Sequence, residues 1–214
     1  MITTTLKALR EHHACIAGYN NLIRSLQGET FTALDDARVN YIRYAHKDPI
    51  PIAVILQSNG FDDALWALRA FEQTTDLVRA ERMYAVWCAR RVQHLMTDDR
   101  SLYALDAAER HANGDATDEE LDTARDAARK AAWGAAGDAA WAAAEAEAWA
   151  AARDAAGAAA RAAARAVARD AARAAARDSQ KAMFSSVFCC DDAPNVSIIK
   201  QALDAMRTGS LEQK

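Results

Sequence analysis

The chain has 214 residues, with 26 Lys and Arg against 30 Asp and Glu and a formal net charge of -4. That length can bury a real core as one large domain or two small ones, and so mild a charge announces neither a nucleic-acid binder nor an acidic mimic of DNA. No basic segment followed by an apolar run opens the chain, and no uncharged stretch is long enough for a bilayer, so a cytosolic protein without signal peptide or membrane span is expected.

The N-terminal stretch reads as helix. Thr3, Thr4 or Thr5 can cap it, Leu6, Leu9, Ile16, Tyr19, Ile23 and Leu26 recur at helical spacing, and Gly28 suits a left-handed C-terminal cap. A second helix is predicted over Leu34 to His46, with Val39, Ile42 and Tyr44 as apolar members, ended by Asp48-Pro49. Pro51 fits the first turn of a helix over Ile52 to Gln57 that stops at Asn59-Gly60. Asp62 or Asp63 then caps a helix carrying Leu65, Trp66, Leu68 and Phe71. A longer helix over Leu77 to Met96 turns Ala80, Met83, Trp87, Cys88, Val92 and Leu95 inward. Asp98-Asp99 forms the next junction, before a helix over Leu102 to His111 closed by Asn113-Gly114. Thr117 and Glu120 have the spacing of a capping box.

From Arg125 to Lys181 the chain counts in fours. Every fourth position holds something other than alanine: Arg125, Arg129, Trp133, Gly137, Trp141, Glu145, Trp149, Arg153, Gly157, Arg161, Arg165, Arg169, Arg173, Arg177 and Lys181. Alanine is the best helix former and is depleted in sheets, so the tract is helical. A straight helix of that length spans roughly 85 Å, and the marked stripe drifts about 40° per repeat, leaving no fixed solvent face. Breaks near Gly134-Gly137 and Gly157, with shorter helices folding back on alanine faces, are therefore expected, with one long helix as the alternative. Met183, Phe184, Val187 and Phe188 then seal the bundle. Asp191, Asp192 and Pro194 break the chain, Val196 to Met206 gives a short amphipathic helix, and Gly209 onward is a frayed tail.

The fold class expected is all-α: a bundle of short helices over 1–116, alanine-rich tetrad-repeat helices over 117–182, and a sealing segment with a short helix over 183–214, continuous as one domain.

The stretch from Met83 to about Ala144 resembles a family of all-helical proteins labelled as immunity proteins. The matching residues are Ala85-Val-Trp-Cys-Ala-Arg-Arg-Val-Gln-His-Leu95, Asp98-Asp-Arg100, Ala104-Leu-Asp-Ala-Ala-Glu-Arg-His-Ala-Asn-Gly114 and Thr117-Asp-Glu-Glu-Leu-Asp-Thr-Ala-Arg125, running into the alanine repeats. Upstream, Ile55-Leu-Gln-Ser-Asn-Gly-Phe-Asp-Asp-Ala-Leu-Trp-Ala-Leu-Arg69 looks like a segment found with it in phage and bacterial proteins. The family tends to carry proline after the Asp-Asp-Arg step, where Ser101 stands here. The resemblance implies a protein of the bacterial cytoplasm that neutralises a toxin by binding, or, in a phage relative, a host defence effector. It supplies no catalytic residues.

The tract has no nucleophile, base or ligand cluster and presents side chains on a scaffold, which points to binding and not to an enzyme. The arginine ladder (Arg153, Arg161, Arg165, Arg169, Arg173, Arg177) is the foremost candidate for contacting phosphate or carboxylate. A solvated face stitched by Asp154, Asp170 and Asp178 accounts for the same pattern, and the interleaved Asp disfavours nucleic acid. Trp133, Trp141 and Trp149 are knobs locking neighbouring helices or hot spots of an interface. Asp98, Asp99 and Arg100 form a capped turn with an internal ion pair, or a turn touching the partner. His12-His13 beside Glu11 lack the i, i+4 spacing of a metal pair, and no cofactor is implied. Cys15, Cys88, Cys189 and Cys190 lack zinc-site spacing and read as free thiols. The adjacent pair Cys189-Cys190 is a redox element or two packed thiols near a helix end. The expected function is a non-catalytic immunity or counter-defence protein with a protein target. A sponge for an anionic nucleotide signal and a self-assembling, homo-oligomeric protein are the alternatives.

Overall fold

A computed structural model describes residues 1–96, 98–130 and 155–208. The protein is all-α, with a single two-stranded antiparallel sheet among the described residues. It divides into two units, Met1–Ala80 with Lys181–Gln201 and Glu81–Gln180 with Ala202–Lys214, and the division falls inside three helices. Among the described residues no helix is long and apolar enough to cross a membrane.

In the first unit, β1 (Thr3–Thr4) pairs with β2 (Ile50–Pro51), Thr4 opposite Ile50. Thr5 caps α1 (Leu6–Glu11), accepting the amide of Ala8 at 3.1 Å. The long N-terminal helix expected from Leu6 to Leu26 is in fact broken at His12-His13. His13 adopts a left-handed φ of 62°, a region His tolerates better than most residues. The amide of Ala14 reaches back to Leu9 at 2.9 Å, and α2 (Ile16–Gln27) begins afresh with the Cys15 sulfur as its cap. Gly28 closes α2 in the left-handed conformation, as its position predicted.

The helix expected over Leu34 to His46 also differs. Only α3 (Ala33–Asp36) forms, with a Thr32/Asp35 capping box, and 41–47 has no regular structure. Asn20 is the cause. It is fully buried, its Nδ2 donates to the carbonyl of Asn40 at 3.1 Å, and its Oδ1 accepts from the amide of Ile42 at 2.8 Å. A helix would need both backbone groups for itself, and a buried amide side chain without partners is costly. The Tyr41 hydroxyl adds an anchor on the carbonyl of Ala14 at 2.7 Å. Val39, an apolar member of that expected helix, is instead 79% exposed, and Leu34, at its expected start, is 81% exposed.

The helices α4 (Ile52–Asn59) and α5 (Phe61–Ala67) pack on each other, and α4 packs on α2. Pro51 precedes the first turn of α4 as its cap residue. Gly60, at φ 87°, ends α4 and starts α5, so the caps expected at Asp62 or Asp63 are displaced into the first turn, where carboxylates also favour a helix N-terminus. Phe184, Val187 and Phe188 are fully buried, and the Phe184 ring meets Phe61 edge-on at 5.5 Å and Phe188 at 4.9 Å. The sealing segment predicted from those aromatics is thus in place.

α6 (Thr75–Arg90) crosses the division, with Ala80, Met83 and Trp87 buried as expected. It stops six residues before Met96: the amide of Val92 turns to Ala89 in a tighter i to i−3 bond, a short 3-10 turn covers Gln93–Leu95, and Val92 is 39% exposed. The helix α7 (Asp99–Asn113) ends at left-handed Gly114, and α8 is helical over 118–130. Thr117 and Glu120 form the predicted capping box, with bonds of 3.0 and 3.2 Å.

The longest helix among the described residues, α9 (Ala155–Phe188), runs 34 residues. Within the described residues 155–188 it passes through Gly157 without interruption, so no break falls at Gly157 itself. One glycine lowers helix propensity by only about 1 kcal/mol relative to alanine, little against the alanines around it. The break expected at Gly134-Gly137 and the tail from Gly209 lie outside the described residues. α10 (Val196–Arg207) follows, with Ile199 and Leu203 buried.

Candidate functional site

Of the predicted ladder, Arg161, Arg165, Arg169, Arg173 and Arg177 all fall on α9. Between 155 and 181 there are six basic against two acidic side chains, in a chain whose net charge is -4. Consecutive ladder positions rise about 6 Å and turn about 40° around the axis. Arg173, Arg177 and Asp178 are exposed, and so are Ala172, Ala174 and Ala175 between and beside them. Alanine contributes almost no apolar area, so this part of the helix rests on backbone hydrogen bonds and propensity more than on burial. Arg153, Trp133, Trp141 and Trp149 lie outside the described residues.

The Asp98-Asp99-Arg100 turn is a closed local unit in the second unit. Asp98 caps α7, its Oδ1 accepting the Arg100 amide at 2.8 Å and Arg100 Nε at 3.0 Å, while Oδ2 accepts Nη2 at 2.8 Å. The Arg100 side-chain hydrogen bonds, then its amide, hold the Asp98 carboxyl down to about 2. Asp99 sits in the first helical turn, where a carboxylate complements the helix dipole. The cap and the ion pair are as the sequence predicted, and both groups of Asp98 are committed to this turn.

Two buried carboxylates were not singled out from the sequence. In the first unit, Asp35 is 2% exposed and accepts Arg24 Nε at 3.1 Å and Nη2 at 2.7 Å on Oδ1, with Arg38 Nε at 3.2 Å. Hydrogen bonds from Arg24 first, then Thr32, hold its carboxyl well below the usual range. In the second unit, Glu109 is also 2% exposed. Its Oε2 accepts Arg90 Nε at 2.9 Å and Nη2 at 2.6 Å, and its Oε1 accepts Arg207. Arg90 reaches Asp106 at 2.6 Å as well. Burial opposes the Arg90 charge, but the bonds to Asp106 and Glu109 outweigh it and raise its pKa. Both carboxylates are saturated by guanidinium hydrogen bonds, so they lock helices together.

No family model, curated protein or solved structure matches this chain.

Among the described residues no group of three or more His, Cys, Asp or Glu is placed to hold a metal ion. The His111 ring lies 2.7 Å from Asp118, a pair that ties the end of α7 to the start of α8. Among the described side chains, Arg173 and Arg177 of α9 are solvent-exposed, and so are the apolar Leu34 and Val39 of the first unit.

Proposed function

We propose that this protein acts without turnover, binding and blocking another protein in the manner of an immunity or phage counter-defence protein. The observation that carries the reading is the single uninterrupted α9, with arginine at every fourth position from Arg161 to Arg177 and exposed side chains at Arg173 and Arg177. Guanidinium groups on a rigid helix suit bidentate recognition of carboxylates on a protein surface, because little side-chain freedom is lost per bond. The residues of 83–144 that resemble immunity proteins support the same class, with a toxin or a host defence effector as target. The saturation of Asp35, Glu109 and Asp98 by arginine leaves those carboxylates unsuited to general acid-base work, which supports binding over catalysis.

The test uses tagged full-length protein, wild type and carrying Arg165→Glu, Arg169→Glu and Arg173→Glu, to capture proteins and nucleotides from the native host. The reading expects one stoichiometric protein with the wild type, lost from the triple variant at unchanged far-UV circular dichroism. That protein's purified activity must also fall at an equimolar ratio. A partner retained at full affinity by the variant makes the ladder a solvated face. A nucleotide released on heating replaces protein blocking with sequestration.

A further inference from the structure

Cys189 and Cys190 stand side by side just past Phe188, the last residue of α9. Both are free thiols and both are half-buried. Inside a helix, neighbouring side chains diverge by about 100° around the axis, which holds two adjacent sulfurs apart. Past Phe188 that constraint ends while the place of the pair stays fixed. Phe184, Val187 and Phe188 are fully buried on one side, and Ile199 of α10 on the other. The Cys189 amide donates to the carbonyl of Ser185 at 3.0 Å, the Ala193 amide to that of Cys190 at 3.2 Å, and the Asn195 amide to that of Val187 at 2.9 Å. The Cys190 sulfur is 3.9 Å from the Val187 carbonyl, a weak contact that does not tie it down. Two thiols kept together on an anchored turn, each partly in solvent, are arranged for joint chemistry and not for filling a core.

We propose that Cys189 and Cys190 form a site of reversible covalent oxidation by low-molecular-weight disulfides, closing into a disulfide between neighbours. In the first step one thiolate attacks a sulfur of the small disulfide. A protein–small-molecule S–S bond forms, the small S–S bond breaks, and one small thiol leaves. In the second step the adjacent cysteine, having given its proton to solvent, attacks the protein sulfur of that mixed disulfide and expels the second small thiol. The two cysteines lose two electrons and two protons, and the small disulfide gains them as two thiols. Burial, with a smaller contribution from the Cys190 charge, pushes the Cys189 thiol up. Neighbouring Cα atoms are about 3.8 Å apart, short of the roughly 4.4–6.8 Å of ordinary disulfides, so the closed ring is strained. Strained disulfides are readily reduced, which makes this pair a reversible site and not a structural crosslink.

The experiment treats the folded full-length protein with excess oxidised glutathione, alkylates remaining thiols and digests with trypsin. Cleavage after Lys181 and Lys200 releases both cysteines on one peptide that carries neither Cys15 nor Cys88. The expected peptide is two hydrogens lighter than the reduced form, bears no alkyl group or glutathione, and becomes doubly alkylated if dithiothreitol precedes alkylation. At least one of the single variants Cys189→Ser and Cys190→Ser is expected to stop with one glutathione on its remaining cysteine of the pair. A wild-type peptide that returns doubly alkylated, carries glutathione on both sulfurs, or is linked to the Cys15 or Cys88 peptide overturns the proposal. Single variants Cys189→Ser and Cys190→Ser that both take up no glutathione at the pair overturn the two-step route.

Discussion

Replacing Glu109 by glutamine changes one atom in each molecule and asks what the buried ion network contributes. The carboxylate is 2% exposed and serves two cations: Arg90, whose side chain is 17% exposed, and Arg207, at 59%. Glutamine keeps the shape but turns an amide donor toward one guanidinium and leaves the other with a neutral acceptor. Removing one partner of a fully buried pair costs about 3–5 kcal/mol. Here Asp106 still holds Arg90 at 2.6 Å, and Arg207 can swing to solvent or to Asp204 at 3.5 Å. The loss is therefore reduced to about 2–3 kcal/mol. In a chain of this size that lowers the thermal midpoint by about 5–10 °C. The discriminating partner is the double variant Arg90→Met with Glu109→Leu, which removes both charges and recovers most of the loss, because well-packed apolar replacements of a buried pair are close to neutral. Thermal unfolding followed by far-UV circular dichroism reads both. A Glu109→Gln protein melting within about 1 °C of wild type would refute the argument, since it would mean the network is solvated and worth no more than a surface pair.

Asn20→Leu leaves the carbonyl of Asn40 and the amide of Ile42 without their buried partner. A loss of about 1–3 kcal/mol is expected, with accelerated hydrogen exchange at Ile42, and an unchanged exchange rate there would count against the anchoring role. Phe184→Ala empties a fully buried site between Phe61 and Phe188, and a destabilisation of about 3–5 kcal/mol in urea titration is expected. Asp98 titrates at about 2 in the folded protein against an ordinary value of 3.8, so its contribution to stability is present above 3.8 and is lost as pH falls toward 2. Arg100→Ala should move the Asp98 carboxyl titration, read by NMR, upward toward 3.8, and an unmoved midpoint would reject the ion pair as its cause. At Gly18 an added Cβ would lie 2.6 Å from Asp63 Oδ2 and 3.1 Å from the Cys15 sulfur, so Gly18→Ala should lower the melting midpoint by displacing the Asp63 carboxylate from Asn59, its partner at 2.8 Å. An unchanged midpoint would show that Asp63 yields without loss.

What could be read from the sequence was whatever is decided within about four residues. Thr5 as a cap, Gly28 and Gly114 as left-handed stops, Asp98 at the head of α7 and the Thr117/Glu120 box are all local contests between side chain and backbone. Two of the failures have the opposite property. Asn20 reaches residues twenty positions away to undo a helix whose apolar spacing looked sound, and Arg90 meets Glu109 nineteen positions on. Neither pairing leaves a local mark, because Asn20 and Glu109 sit on helices at positions where a polar residue is ordinary. Val92 shows the same limit from another side: its place in the α6 periodicity was right, but the helix ended before the period could bury it.

The geometry of α9 constrains how its ladder can be used. A stripe that turns about 40° at each step has turned about 160° between Arg161 and Arg177, over a rise of about 24 Å. A flat partner laid along the helix reaches two or three consecutive arginines before the stripe rotates out of range, whereas a partner that curves around the helix reaches all five. The two cases separate in single charge reversals. A flat partner gives large losses at two or three neighbouring positions and none at the others, and a wrapping partner gives smaller, similar losses from Arg161 to Arg177. Had alanine been broken by arginine every seven residues in the 3–4 pattern of a fixed face, this distinction would vanish. In the proposed binding mode, the spacing of four, held on one continuous helix, makes the contact pattern report the shape of the partner.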